Sequence, residues 1–196
     1  MFAIPCVIFA GGKSSRMGED KALLPFDGFA TLTEYQYTRL SKLFQSVYIS
    51  TKESSKFHFS ANFIEDDKTS DTFAPTAGFI ASFQQLKTEC FFVISVDAPF
   101  IGETEIQKLI DADKKNNDAT LARTAHGLEP MCGIYHKSLY PHFLDMQKNS
   151  QHKLNALLQQ CKTDSILFEN QEKFLNLNHP HEYSKALEIL CYNDKN

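Results

Sequence analysis

Residues 9–21 read FAGGKSSRMGEDK and begin within the end of the apolar run AIPCVIFA, residues 3–10. Paired glycines placed after such a run let the backbone turn sharply and bring N–H groups close to a phosphate. Arg16 adds a planar fork for phosphate oxygens, and Lys21 adds a point charge. The Gly-Lys-Ser ending of GGKSS does not make a P-loop, because Val7 stands where that motif needs its first glycine. The dinucleotide fingerprint G-x-G-x-x-G fails as well, since Gly11 and Gly12 are adjacent and Gly18 lies too far on. Loop 9–21 is therefore read as a phosphate cradle of another kind, and its bland alternative is a turn with solvated charges.

Two further groups could complete such a site. Asp97 follows FFVISV, residues 91–96, the most apolar run of the chain. A carboxylate there could hold Mg²⁺, which takes one or two carboxylates and leaves its other positions to phosphates and water. It could equally open a turn before Pro99. In FLNLNHPHEY, residues 174–183, Pro180 fits the first position of a helix, with His179 at the cap. Asn176 and Asn178 alternate in what reads as an extended segment, so they would point the same way. Asn178 could aim its amide oxygen at a metal ion, or bond the free amides of the helix.

The elements that must position these groups alternate in type. Ala3–Phe9, Val47–Ser50, Asn62–Ile64 and Phe91–Val96 read as strands. Thr33–Phe44, Thr76–Leu86 and Glu103–Lys114 between them carry helical spacing. The second half reads as strands at Asp118–Arg123 and Met131–Tyr135, helices at Lys137–Met146 and Lys153–Gln160, a strand at Ser165–Phe168 and a helix over Pro180–Cys191. Strands separated by helices predict a single-domain, Rossmann-like three-layer α/β/α sandwich with a mostly parallel sheet. The domain is expected to span residues 1–192, with 193–196 a frayed tail. In such sheets ligands bind at the carboxyl ends of the strands. There the glycine loop, Ser50, Asp66 with Asp67, and Asp97 would share one edge.

Composition bounds the partners. The 196 residues suffice for one full core. A net charge of −4 argues against a general nucleic-acid binder, while leaving room for a small anion at a local basic loop. Five scattered cysteines without a C-x-x-C pair read as thiols of a reducing compartment. No run approaches the length of a membrane span, and the N-terminal apolar run has no basic leader, so a cytoplasmic protein is expected. The seven histidines show no zinc-ligand spacing. Seventeen phenylalanines read as core filling, and DADKK (111–115) as the exposed end of a helix.

FAGGKSSRMGEDK closely resembles the signature L-A-G-G-x-S-x-R-M-G-x-D-K of the nucleotidyltransferase family that includes molybdenum cofactor guanylyltransferase. VDAPF (96–100) resembles its D-x-P metal site, and NLNHPHEY (176–183) its N-x-N-T-P-E-[DE] segment. The resemblance spans nearly the whole chain and implies roles. Phe9, Ala10, Gly11 and Gly12 would wrap the nucleotide, with Arg16 and Lys21 on its phosphates. Asp97 would hold Mg²⁺, or Mn²⁺, helped by Asn178. Asp66 matches an acidic position near the nucleotide, and Ser50 and Gly78 would line the base pocket. Pro130, in GLEPMCGIY (127–135), would lie near the second substrate with Asn176 and Asn178.

The implied reaction is transfer of GMP from GTP to the terminal phosphate of molybdopterin. Arg16, Lys21 and Asp97 would be its catalytic residues. The chain departs from the family where APTAG (74–78) replaces G-P-L-A-G, where Ser50 replaces an asparagine, and where His179 replaces a threonine cap. The first two departures line the expected base pocket, so the resemblance speaks to nucleotidyl transfer more directly than to the base. The alternatives are a molybdopterin cytidylyltransferase or another small-phosphate nucleotidyltransferase. A non-catalytic nucleotide-binding module would not need Asp97, Lys21 and both asparagines. Contact with molybdoenzymes or their chaperones would be transient. Nothing in the sequence marks an interface, so a monomer is expected.

Overall fold

The computed structural model describes residues 1–11, 18–66 and 75–193. The first half alternates β1 (Cys6–Phe9), α1 (Leu32–Leu40), β2 (Val47–Thr51), β3 (Asn62–Glu65), α2 (Pro75–Leu86), β4 (Cys90–Ser95) and α3 (Glu103–Ala112). A hairpin of β5 (Ala119–Thr124) and β6 (Gly127–His136) follows. Then come α4 (Tyr140–Lys148), α5 (Leu154–Leu158), β7 (Thr163–Leu167) and α6 (Pro180–Asn193). Among the described residues the strands form one sheet of seven in the order β3-β2-β1-β4-β6-β5-β7. Only β6 runs antiparallel to its neighbours. The expected three-layer α/β/α sandwich is the observed architecture.

Side chains alternate across the sheet and divide the core in two. Cys6, Ile8, Phe92 and Ile94 face the layer of α1, α3 and α6. Val7, Phe9, Phe91 and Val93 face α2, α4 and α5. This two-sided burial explains the unbroken apolar runs of β1 and β4. Phenylalanine supplies much of the filling: Phe79 stacks on Phe143 at 4.5 Å and meets Tyr135 at 4.5 Å. Burial pushes the Cys6 and Cys132 thiols well above the ordinary range. Among the described residues, no helix is long and apolar enough to cross a membrane.

The expected boundaries shift in places. Residues 3–5 lie outside β1, and α1 closes at Leu40, four residues short of Phe44. Strand β6 is twice as long as Met131–Tyr135, because its first half pairs with β5 across a tight turn. Helix α3 ends at Ala112, and Asp113 turns inward instead of extending a solvated charge run. Its carboxylate accepts from Thr120 Oγ1 at 2.7 Å and lies 3.0 Å from His136 Nε2.

Pairing jumps from Leu121↔Gly133 to Ala122↔Glu129, so Pro130, Met131 and Cys132 bow away from β5. Gly133 permits this close approach: a Cβ there would sit 2.3 Å from the Thr120 carbonyl oxygen. Gly133→Ala is therefore expected to destabilise the fold by about 2 kcal/mol or more. The shift of the urea midpoint measures it, and an unchanged midpoint would show that the bulge yields freely.

Candidate active site

The sheet order reverses between β1 and β4, and the crevice beyond their carboxyl ends is where an open α/β sheet binds ligands. Backbone bonds carry the parallel ladders past the strand ends. Ala10 N donates to Ser50 O at 2.9 Å, Val96 N to Phe9 O at 3.0 Å, and Asp66 N to Thr51 O at 3.1 Å. Asp66, Ser50, Ala10 with Gly11, and Asp97 therefore line one edge in that order. At one strand spacing per step, Asp66 and Asp97 stand roughly 14 Å apart, the reach of a nucleoside with its first phosphates.

At one end of the edge, Lys21 Nζ donates to Asp97 Oδ2 at 2.5 Å and to Asn178 Oδ1 at 2.9 Å. Lys21 begins a short 3₁₀ turn that Asp20 caps by accepting from Ala22 N at 3.1 Å. Asp20 is held in turn by Lys56 at 2.7 Å, and Thr33 of α1 donates its hydroxyl to Ala22 O at 2.7 Å. Asp97 is fixed from the backbone. Gln36 Nε2 donates to Val96 O at 3.0 Å, and the half-buried Arg39 donates to Ile101 O at 2.7 Å. Both come from α1, which thus braces the loops carrying the ammonium and the carboxylate.

Asn178 arrives on a segment docked against the same loop. Leu177 N donates to Asp97 O at 2.9 Å, and the Leu177 side chain is fully buried. Burying it contributes roughly 2 kcal/mol to the docking. The segment is not the regular extended strand expected, because Asn178 N also bonds Asn176 O at 3.0 Å. Nor does Asn178 cap the helix with its side chain. Glu182 reaches back to accept from Asn178 N at 2.7 Å and His179 N at 2.8 Å, and so makes good the poor cap at His179. A glutamate three residues past the cap was the signal for this in the sequence.

At the other end, Asp66 is largely buried. That burial pushes its carboxyl up, opposed by the Ser50 hydroxyl at 3.4 Å and by Lys52. Gly78 packs here: a Cβ would come within 2.6 Å of Ser50 Oγ and 2.7 Å of the Phe9 ring. Phe9, Ser50, Asp66 and Gly78 are thus brought together as one packed cluster. Between the two ends, a Cβ on Gly11 would meet no atom within 4 Å among the described residues. Gly12 and Arg16 lie outside the described residues, as do Asp67 and Ala74.

Beyond Asp97 a cavity of about 200 Å³ is lined by Ser95, Pro130, Asn176 and Asn178, and also by Glu129, which the sequence reading did not single out. Chemically, a cation already bridges the Asp97 carboxylate and the Asn178 amide oxygen, and that all-oxygen pair suits a hard divalent ion. Among the described residues no three His, Cys, Asp or Glu side chains gather as a metal site. An ion held here would accordingly draw its remaining ligands from phosphates and water.

Residues 6–165 match the MobA-like NTP transferase domain. The chain is 38% identical over 180 residues to the molybdenum cofactor guanylyltransferase of Campylobacter jejuni subsp. doylei, covering 92% of this chain and 93% of the relative. It is 35% identical over 192 residues to that of Helicobacter pylori strain 26695, covering 95% and 93%. The crystal structure of molybdopterin-guanine dinucleotide biosynthesis protein A from Archaeoglobus fulgidus superposes with a TM-score of 0.80 at 19% identity, over 96% of this chain and all of that one. The span of the domain match and the closeness of these relatives place this chain in the MobA-like NTP transferase family.

Proposed function

We propose that this protein transfers GMP from GTP to the terminal phosphate of molybdopterin, releasing pyrophosphate and forming molybdopterin guanine dinucleotide. The observation that carries the reading is the convergence of Lys21, Asp97 and Asn178 at one end of an edge whose other end holds Asp66 beside Ser50. The names of the relatives support it. An ionised carboxylate accepts hydrogen bonds only, so Asp66 suits the adjacent ring N–H and amino group of guanine. Cytosine offers a single amino donor, which disfavours the cytidylyl alternative.

Asp97 and Asn178 would hold Mg²⁺ or Mn²⁺, which when bound offsets charge on the α-phosphate. Lys21 would then exchange its carboxylate partner for a phosphate oxygen and keep a positive charge beside the leaving pyrophosphate. Arg16 is assigned the same task. Gly11 and Gly12, which carry no side chain, are assigned to let the phosphates approach the backbone closely. Asn176, Asn178 and Pro130 orient the acceptor in the cavity beside Asp97. The acceptor phosphate is already an anion, so no protein nucleophile is needed and positioning with charge neutralisation is the main catalytic task.

The decisive assay is pyrophosphate release from GTP with molybdopterin and a divalent ion, with CTP in parallel. Release with GTP and little with CTP is expected, and preference for CTP would overturn the guanylyl assignment. Asp97→Asn keeps the side-chain shape and removes its charge. It is expected to lower kcat at least ~100-fold while costing only about 1 kcal/mol of stability, read from the unfolding midpoint. Full activity would remove Asp97 from the mechanism.

Lys21→Met yields a less obvious outcome. The ammonium competes for the oxygens assigned to the metal, and an ion pair worth about 1 kcal/mol converts to roughly fivefold in affinity. The variant should therefore bind Mn²⁺ alone more tightly than the wild type, read by electron paramagnetic resonance, while losing GTP affinity. Weaker Mn²⁺ binding in the variant would show that Lys21 and the metal do not share a place.

A further inference from the structure

The cavity beside Asp97 continues outward into a second of about 430 Å³ that reaches Thr124, His126 and Lys185. Glu129, Phe174, Asn176 and Asn178 line both. Glu129 owes its place to the bulge at Pro130–Cys132. Three residues unpaired with β5 change the phase of β6, so Glu129 and Cys132 line the same cavity despite an odd spacing. Thr124 Oγ1 donates to Glu129 Oε1 at 3.0 Å and steadies the carboxylate. Among the described residues, Glu129 has neither a second hydrogen-bond donor nor an ion-pair partner. Half burial pushes its carboxyl up, opposed by the Thr124 hydroxyl and His126.

A carboxylate in this wall repels the phosphate of an acceptor and accepts hydrogen bonds only. It must therefore meet the donor-bearing end of the acceptor. A pterin carries its 2-amino group beside a ring N–H, a pair of parallel donors that matches two carboxylate oxygens. We propose that Glu129 is a specificity-determining residue that receives the 2-amino and adjacent ring N–H edge of the acceptor's pterin. The assignment rests on the acceptor reading above and extends it to the opposite end of that substrate. Thr124 acts through Glu129 as a positioning residue. Asn176 and Asn178 remain on the phosphate side.

The test is steady-state guanylyl transfer with Glu129→Gln and Thr124→Val. Glutamine sets an amino donor against a pterin donor. The KM for molybdopterin should rise roughly tenfold or more, as where a polar group loses its partner, with the change falling mainly on KM and the KM for GTP unmoved. Thr124→Val should move the same constant by about threefold in the same direction. Pterin-6-carboxylate should inhibit the wild type better than lumazine-6-carboxylate, whose 2-oxo group removes the amino donor, and Glu129→Gln should erase that preference. An unchanged KM and a retained preference in Glu129→Gln overturn the role of Glu129 while leaving guanylyl transfer intact. If Glu129→Gln does not fold, an unchanged KM in Thr124→Val overturns it. A wild type that makes no dinucleotide overturns the reaction itself, and this assignment with it.

Discussion

The ammonium of Lys21 sits between an aspartate 76 residues away and an asparagine 157 residues away, and most of the site's architecture serves to keep that meeting in place. A charge partly withdrawn from water needs close oxygen partners, and here each partner is held from its own backbone. Asp97 rides on a loop tied to α1 through Gln36 and Arg39. Asn178 rides on a segment tied to that loop through Leu177 N and Asp97 O. Lys21 starts a turn fastened by Asp20 and Thr33. Three parts of the chain remote in sequence thus share one braced corner. The ion pair reports the electrostatic need of the corner as well: two oxygens are already arranged around a positive charge.

The sheet gives this corner its neighbours. Because β1 and β4 part the connections, their carboxyl ends open a crevice, and parallel pairing lays Asp66 and Ser50 along the same rim. The rim has chemically distinct ends. One is a largely buried carboxylate packed with Gly78 and Phe9, suited to the donor edge of a base. The other is the charged corner, suited to phosphates. On the far side of Asp97 the antiparallel β6 breaks the regular pattern, and its bulge forms a wall of the cavity beside Asp97. The single strand that departs from parallel pairing is therefore the one that shapes a binding surface.

Much of this was legible in the order of residues. Apolar runs of strand length alternating with helical periodicity determined the layered fold, because two-sided burial leaves no other reading for a run such as FFVISV. Loop residues after the strands named Gly11, Lys21, Asp66 and Asp97, since parallel strands bring their carboxyl ends to one edge whatever their register. Length and turn chemistry were less legible. Helix α1 closes at Leu40 through local turn bonds from Ser41 and Lys42, and Asp113 turns inward to Thr120 and to His136, 23 residues on; helical spacing alone reveals neither.

What only the tertiary structure decided is which of these groups touch, and through what. The sequence offered Lys21 as a phosphate ligand and Asp97 as a metal ligand. In the folded chain they bond each other, because a lysine and a carboxylate brought to one partly buried corner satisfy one another until a ligand competes. The docking of Leu177 and the bulge that turns Glu129 into the cavity both rest on contacts between separate elements. A period of two or 3.6 residues carries no information about such contacts. Periodicity determines which face of an element is buried, whereas packing decides which distant side chain meets it there.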